Sequence, residues 1–197
     1  MSSTGLDRNL RVLFVCTANV CRSPLAAALL KLRAQQAGAP ISVASAGTLA
    51  EGMSADAHVV TVLREYGVDA SAKKSRKLEP DLIRASDLIL PMTVTHARRV
   101  IGEASDARER VFLLREIVQL ASKVGPRPAD MTLPQWLGRL DAERTFSYAD
   151  EDESVEIPDP VGEPLPVFVD LAKELDQNLS WLITLANLKS NPDEFDL

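Results

Sequence analysis

The chain has 197 residues, which is enough for one domain with its own hydrophobic core. Hydrophobic residues make up 46% and charged residues 25%, so the composition argues against a disordered or fibrous protein. The net charge of −6 argues against a nucleic acid or an anionic membrane as the main partner, because both attract clustered Lys and Arg. No apolar run reaches the roughly 20 residues that span a bilayer, and residues 1–9 lack a signal peptide's apolar segment. We therefore expect a cytoplasmic protein.

Strand and helix patterns alternate along the first part of the chain. Apolar and β-branched runs predict strands at 11–15, 41–46, 87–92 and 111–114. Amphipathic patterns predict helices at 25–36, 55–66 and 95–101. This alternation predicts an α/β fold in which a parallel sheet carries helices on both faces. Ligands of such sheets bind beyond the carboxyl ends of the strands.

The second part of the chain is less regular. Prolines and the acidic run Asp150–Glu153 interrupt residues 125–158, where we predict only a short helix at 135–144. We expect the acidic run to be a solvated loop. A long amphipathic helix is predicted at 165–188, with Trp181 in the hydrophobic core. Residues 1–197 are thus expected to form a single domain with an extended connection at about 125–158.

The segment CTANVCRS, Cys16 to Ser23, joins the first predicted strand to the first predicted helix. Backbone N–H groups in such a loop, together with the positive end of a helix dipole, form an anion site. A thiol placed there is stabilised as the nucleophilic thiolate. No glycine lies between Arg11 and Gly38, which argues against a Gly-rich nucleotide loop. Cys16 is therefore the candidate nucleophile.

Arg22 and Ser23 supply the other groups that this chemistry needs. The planar guanidinium of Arg22 suits two oxygens of a phosphoryl group and the charge that builds on them in the transition state. The Ser23 hydroxyl can donate a hydrogen bond to the Cys16 sulfur and so favour the thiolate. A cysteine followed after five residues by Arg-Ser, between a strand and a helix, indicates phosphoryl transfer to a cysteine.

Residues 15–24, VCTANVCRSP, resemble the signature of the low-molecular-weight protein tyrosine phosphatases. Further matches in the family's order are residues 45–48 (SAGT), the Gly67 turn followed by Arg76 and Leu78, residues 87–92, and Asp159-Pro160. The resemblance implies a flavodoxin-like fold with a four-stranded parallel sheet. It also implies that a phosphorylated protein or a small phosphate ester is hydrolysed through a phosphocysteine intermediate, with no metal or other cofactor.

The same resemblance implies roles for the remaining loop residues. The phosphate would be bound by Thr17, Ala18, Asn19, Val20, Cys21 and Ser23. A hydrogen bond between Asn19 and Ser45 would support the backbone of the loop. Cys21 stands at the family's second cysteine, which can form a protective disulfide with the nucleophile; a packed, inert thiol is the alternative.

The leaving group of the reaction needs a proton, so a general acid is required as well. Asp159 lies in the sequence IPDP, residues 157–160, where two prolines stiffen a loop before the last predicted helix. It also stands at the family's Asp-Pro motif. We expect Asp159 to protonate the leaving group and then to activate the water that hydrolyses phosphocysteine. His58 and His96 lack a neighbouring cysteine or carboxylate cluster, and we assign both to helix packing or the surface.

The predicted substrate pocket departs from the family's pattern. Members that act on phosphotyrosine usually carry aromatic residues after Asp-Pro and after the SAGT segment, but here Val161-Gly162 and Leu49-Ala50 stand there. Phosphotyrosine is the expected substrate. A phosphoarginine phosphatase, with which Gly162 is compatible, is an alternative.

Three other functions are alternatives to a phosphatase. An arsenate reductase on this scaffold would need an external thiol, since no cysteine follows Cys21. A catalytically inactive phosphoprotein-binding module would lack one of the catalytic residues, and Cys16, Arg22 and Asp159 are all present. A flavodoxin would carry a phosphate loop rich in Ser and Thr without a central cysteine.

Overall fold

The structure, a computed structural model, describes residues 9–49, 51–145, 148 and 153–188. Its central element is a parallel sheet of strands β1 (Leu10–Cys16), β2 (Ile41–Gly47) and β3 (Leu88–Pro91), in the order β2-β1-β3. The central strand pairs with β2 along its whole length, from Leu10 opposite Ile41 to Cys16 opposite Gly47. Cys16 is therefore the last residue of the central strand, at the carboxyl edge of the sheet.

The sheet has three strands among the described residues, so the predicted count of four is not confirmed. Of the predicted fourth strand at 111–114, Val111 alone pairs, through an isolated parallel bridge to Ile89. The Phe112 N–H donates to the Ile89 carbonyl at 3.0 Å. A helix begins at Leu114, so the segment leaves the sheet before a regular strand can form. The α/β fold with a parallel sheet is confirmed.

Helices cover the sheet. In the described part of the chain the α-helices are α1 (Arg22–Gln36), α2 (Ala57–Glu65), α3 (Pro80–Arg84), α4 (Val94–Glu103), α5 (Leu114–Val124), α6 (Leu133–Ala142) and α7 (Leu165–Leu185). Short 3₁₀ helices lie at Ser105–Arg110 and Glu153–Val155. Of these elements, α3, α5 and both 3₁₀ helices have no counterpart in the prediction. Within these ranges, no helix has both the length and the apolar composition that crossing a membrane requires.

Side chains that alternate along β1 supply two hydrophobic cores. Val12 and Phe14 pack on one face of the sheet with apolar residues of α1, α2, α5, α6 and α7. Leu13 and Val15 pack on the other face with residues of α3 and α4. All four side chains are almost fully buried. Both faces of the sheet are thus covered, as predicted, and its carboxyl edge is the place left for a ligand.

The last helix is amphipathic, as predicted, and one stripe of leucines along it is buried. Trp181, however, does not lie in the core. The stripe residues Leu171, Leu175, Leu179, Leu182 and Leu185 are buried, whereas Trp181 is 51% exposed. A side chain two positions after Leu179 is turned about 200° around the helix axis, away from the stripe. The prediction that Trp181 lies in the core was therefore wrong. Residues 150–152 of the predicted acidic loop lie outside the described residues.

Candidate active site

The loop that follows β1 turns tightly between Cys16 and the first residue of α1, Arg22. Asn19 has φ +54°, in the left-handed region that Asn tolerates better than most residues. In this conformation its backbone N–H donates to the Cys16 Sγ at 3.3 Å. Cys21, the residue before α1, makes no side-chain hydrogen bond to the helix. The first N–H groups of α1 therefore have no side-chain cap, and the loop has the form of an anion site.

A hydrogen-bond chain fixes the Cys16 sulfur. Cys16 is 3% exposed, and its Sγ lies 2.9 Å from the Ser23 Oγ. The Asn19 Nδ2 donates to the same Ser23 Oγ at 2.8 Å, so the single hydroxyl proton of Ser23 remains available for the sulfur. The other acceptor near this hydroxyl, the Ala46 carbonyl, is more distant at 3.5 Å. Hydrogen-bonding groups of Asn19 and Ser23 thus both converge on the Cys16 sulfur.

Arg22 links the loop to the distant Asp159. Its side chain is 5% exposed; Nη1 donates to the Ile157 carbonyl at 3.2 Å and Nη2 to the Asp159 Oδ2 at 2.5 Å. Its Nε is buried and has no hydrogen-bond partner. A buried donor without a partner is unfavourable, and a phosphoryl oxygen in the loop would satisfy it. The structure therefore joins Asp159 directly to Arg22, at the end of the loop that begins at Cys16.

Two hydrogen bonds just before Asp159 tie its loop to the end of β3 and the start of α4. The Ile157 N–H donates to the Met92 carbonyl at 2.8 Å. The Glu156 Oε1 accepts from the Val94 N–H at 2.7 Å. Because the strand ends at the carboxyl edge of the sheet, these contacts carry Asp159 to the same edge as the cysteine loop.

The support of the loop differs from the expected bond between Asn19 and Ser45. The Asn19 side chain instead donates to Ser23 and accepts, through Oδ1, the Arg76 backbone N–H at 2.9 Å. Ser45 is buried in β2, in register with Phe14. The polar support of Asn19 therefore comes from the segment that contains Arg76.

Gly47 lets this support approach the loop closely. A Cβ at this position would lie 2.7 Å from the Thr17 carbonyl oxygen and 2.9 Å from the Asn19 nitrogen, distances that real Cβ atoms do not show. The Gly47 N–H donates to the Arg76 carbonyl, and its own carbonyl accepts from the Leu78 N–H. A side chain at this position would displace the loop that holds the nucleophile.

Both cysteines are free thiols, and both are buried. Burial, followed by the negative charges of Asp56 and Asp159, raises the pKa of Cys21 to about 12. Cys21 therefore stays a neutral thiol at physiological pH. Cys16, which begins the loop, is the candidate nucleophile that remains.

His96 is a site residue that the sequence analysis missed. Its Nε2 lies 2.9 Å from the Thr17 Oγ1 and its Nδ1 lies 2.8 Å from the Thr93 Oγ1. Burial and the nearby Arg22 lower the pKa of His96 to about 4, so the ring is neutral and bridges α4 to the loop. Its place directly after a strand that ends at the ligand edge was the signal available in the sequence. His58 packs by its ring against Phe168, as expected.

Exposed apolar side chains stand beside the site. Leu49 is 71% exposed, and its N–H donates to the Thr17 carbonyl at 3.1 Å. Val161 is 60% exposed, and its N–H donates to the Asp159 Oδ1 at 3.3 Å. Ala50, the other residue expected at this wall, lies outside the described residues. The residues that replace the expected aromatic walls are therefore aliphatic and accessible.

Comparisons with known proteins show the family to which the chain is similar. Residues 11–126 match the family described as low molecular weight phosphotyrosine protein phosphatase. A protein-arginine-phosphatase of Geobacillus stearothermophilus is 40% identical over 109 residues, which are 55% of this chain and 71% of that protein. A probable low molecular weight protein-tyrosine-phosphatase, EpsP of Ralstonia solanacearum, is 38% identical over 109 residues, 55% of this chain and 72% of that protein.

A solved structure shows the same similarity. The low molecular weight protein tyrosine phosphatase from T. tengcongensis superposes with a TM-score of 0.68 and 29% identity, over 88% of this chain and 97% of that one. The family match includes the cysteine loop but ends before Asp159. The assignment of the acid therefore depends on the contacts of Asp159 with Arg22.

Proposed function

The chain belongs to the low molecular weight phosphotyrosine protein phosphatase family of cysteine-dependent phosphatases, and we propose that it hydrolyses phosphotyrosine in proteins through Cys16, Arg22 and Asp159. One observation carries this proposal. Arg22, six positions after Cys16 in the same loop, is paired with Asp159 at 2.5 Å while its buried Nε has no partner. This pairing supports a site in which Cys16 is the nucleophile, Arg22 binds the phosphate and Asp159 is the acid. The unpaired Arg22 Nε is the donor that a phosphate oxygen would satisfy.

In the first half-reaction the Cys16 thiolate attacks the phosphorus atom. The bond from phosphorus to the tyrosine oxygen breaks, its electron pair stays on that oxygen, and Asp159 in its acid form supplies the proton. The backbone N–H groups of the loop and the Arg22 guanidinium hold the remaining phosphoryl oxygens. The products are phosphocysteine and the substrate protein with its tyrosine hydroxyl restored.

In the second half-reaction Asp159, now a carboxylate, takes a proton from a water molecule that attacks the phosphorus. The phosphorus–sulfur bond breaks and its electron pair returns to the Cys16 sulfur. The Ser23 hydroxyl, 2.9 Å away, stabilises the thiolate as it leaves. Inorganic phosphate then dissociates.

The ion pair between Arg22 and Asp159 changes partners in this sequence. A phosphate dianion that enters the loop competes with Asp159 for Nη2 and satisfies the free Nε. Asp159, whose side chain is 43% exposed, is then released towards the leaving group. Substrate binding thereby couples to the placement of the acid.

Phosphotyrosine is the substrate that the accessible apolar side chains support best. Leu49 and Val161 are more than half exposed and are each joined by a backbone hydrogen bond to a residue of the site. Aliphatic side chains at the mouth of a phosphate pocket can pack on a phenyl ring, which gives up exposed apolar area on both partners.

Phosphoarginine is the second candidate, because a relative from Geobacillus stearothermophilus named protein-arginine-phosphatase is 40% identical to this chain. Gly162, with φ +86°, gives a tight turn after Asp159 that leaves room for a longer side chain. Arsenate reduction would require an external thiol, since the chain holds only two cysteines.

The test uses two peptides of one sequence, phosphorylated on tyrosine in one and on arginine in the other. We expect phosphate release from the phosphotyrosine peptide with a kcat/KM at least about tenfold higher, and no release by Cys16→Ser. A higher kcat/KM on phosphoarginine would move the function to the second candidate. Release that survives in Cys16→Ser would overturn the proposed nucleophile. Arsenate with added glutathione serves as the third substrate.

We further propose that the chain works in the cytoplasm as a single domain of flavodoxin-like type. Catalysis by a free thiol needs a reducing compartment, and both cysteines are free. The single bridge of Val111 to Ile89 marks the edge where a fourth strand of that fold would lie.

A further inference from the structure

A run of positive side chains lies beside the phosphate loop. Four of the five residues from 73 to 77 are basic, and we call Lys73, Lys74, Arg76 and Lys77 the basic strip. Lys74, Arg76 and Lys77 are exposed, and Lys73 is half-buried. The strip contrasts with a chain whose net charge is −6. Such a local excess of one sign is a candidate surface for a charged partner.

Backbone contacts place the strip against the active site. The Arg76 N–H donates to the Asn19 Oδ1 at 2.9 Å, and Asn19 lies in the middle of the phosphate loop. The Lys77 backbone bridges Gly47, whose Cα faces the loop without room for a side chain. Lys74 bridges Ser54, next to the half-exposed Met53. The strip is therefore fixed to the wall of the site rather than to a separate loop.

The positive charges of the strip are not neutralised within the described part of the chain. None of its four side chains forms an ion pair there, whereas most arginines outside the strip do, such as Arg33 with Asp176. The Lys73 Nζ donates to the Lys74 carbonyl and the Lys74 Nζ to the Ser54 hydroxyl, both neutral acceptors. Burial and, second, the positive charge of the neighbouring Arg76 lower the pKa of Lys73.

We propose that the basic strip binds acidic side chains that flank the phosphorylated residue of a protein substrate. This inference rests on the proposed function, because the phosphate loop must hold the phosphorylated residue while the strip holds its neighbours. Exposed charges give modest energies individually, so the strip contributes to KM and to the rate of association rather than to the chemical step.

The test compares two phosphotyrosine peptides that differ in charge alone, one with three Glu after the phosphotyrosine and one with three Gln. A small aryl phosphate, which cannot reach the strip, measures the chemical step. The double variant Lys74→Gln/Lys77→Gln removes two charges from the strip. The control variant Lys31→Gln/Arg139→Gln removes two charges from exposed residues of α1 and α6 that form no ion pair within the described part of the chain.

We expect the wild type to prefer the acidic peptide by about tenfold in kcat/KM, and the strip variant to lose most of that preference. The control variant keeps the preference, and all three proteins hydrolyse the aryl phosphate alike. Raising the ionic strength from about 20 to about 300 mM reduces the wild-type preference, because exposed charges are screened.

Equal kcat/KM values for the two peptides in the wild type, or an unchanged preference in the strip variant, would overturn the inference. Failure of the proposed function is a separate result, in which the wild type does not hydrolyse the aryl phosphate. In that case the dissociation constants of both fluorescent peptides for Cys16→Ser still measure the preference for acidic neighbours. Equal constants would again count against the strip.

Discussion

The Asp159 Oδ2 lies 2.5 Å from the Arg22 Nη2, although 137 positions separate the two residues in the chain. The proposed acid is thus paired with the guanidinium that we propose binds the phosphate. Removing the carboxylate charge should therefore have opposite effects on binding and on catalysis.

Asp159→Asn is expected to lower kcat on phenyl phosphate by about a hundredfold, because the leaving phenolate loses its proton donor. With nitrophenyl phosphate, whose leaving group needs the proton less, the loss should be smaller. Inorganic phosphate should inhibit the variant up to about fivefold more strongly, because it no longer competes with a carboxylate for Arg22. Steady-state kinetics with both substrates checks these effects. Asp170→Asn, an exposed residue of α7, is the control, and equal losses on the two substrates would contradict the role as an acid.

Ser23→Ala should slow the breakdown of phosphocysteine more than its formation. The hydroxyl 2.9 Å from the Cys16 sulfur stabilises the thiolate that leaves in the second step. Loss of a hydrogen bond to a charged group corresponds to a decrease of about tenfold or more in rate. A burst of nitrophenol followed by a slow steady state, measured by stopped flow, is the expected result. Ser122→Ala, whose hydroxyl bonds its own helix, is the control. A uniformly slow reaction without a burst would place the Ser23 effect in the first step.

Gly47→Ala should distort the phosphate loop, because the added methyl group would clash with it. Its Cβ would meet the Thr17 carbonyl oxygen at 2.7 Å, so either the loop or β2 must shift. We expect a loss of about 1–3 kcal/mol in the free energy of unfolding. We also expect kcat/KM on an aryl phosphate to fall.

Gly138→Ala is the matched control for this substitution, because Gly138 lies within α6 and a Cβ there meets no atom within 4 Å. This change should leave activity intact and raise the free energy of unfolding by about 0.5–1 kcal/mol, since Ala is the better helix residue. Urea unfolding and kinetics on both variants check the pair. Full activity in Gly47→Ala would show that the loop tolerates the displacement.

His96 should make the stability depend on pH between its two pKa values. The folded-state pKa is lowered from 6.5 to about 4 by burial first and by Arg22 second. The unfolded chain therefore binds more protons in this range, and stability is lost as the pH falls from about 6.5 towards 4. The loss attributable to His96 should approach about 3 kcal/mol.

The measurement for His96 is urea unfolding of wild type, His96→Gln and His58→Gln at several pH values. The difference between wild type and His96→Gln should shrink or change sign as the pH falls, because the variant has no group to protonate there. His58→Gln, with a partly exposed ring, should follow the wild type. A constant difference across this range would contradict the neutral, buried histidine.

The α/β fold was predictable where the local sequence pattern was clear, and the same pattern located the candidate catalytic loop. The strand β1 and the loop from Cys16 to Ser23 can each be recognised from a stretch of fewer than ten residues. The run at 111–114 misled because four apolar residues are equally compatible with a strand and with the entry to a buried helix, and α5 begins at Leu114. The prediction for Trp181 was wrong because it used the hydrophobicity of the side chain and not its angular position around α7.

The place of His96 after β3 was a signal in the sequence, but its partner could not be predicted, because the contact with Thr17 spans 79 positions of the chain. The partners of Asn19 were mispredicted for a related reason. The Arg76 N–H reaches Asn19 only because Gly47 allows the two segments to approach. Contacts of this kind depend on the spacing of elements in three dimensions, which a strand or helix pattern does not contain.

The two hydrogen bonds from Glu156 and Ile157 to the start of α4 and the end of β3 have a consequence for how this sequence can change. These bonds hold residues 156 and 157 against the sheet, and so they fix where the chain lies just before Asp159. The side chains of Arg144 and Tyr148 are themselves buried, with Arg144 paired to Glu116 and the Tyr148 hydroxyl bonded to the Val111 carbonyl. We therefore expect changes of length between Tyr148 and Glu156 to disturb the position of Asp159 less than changes at these two anchors.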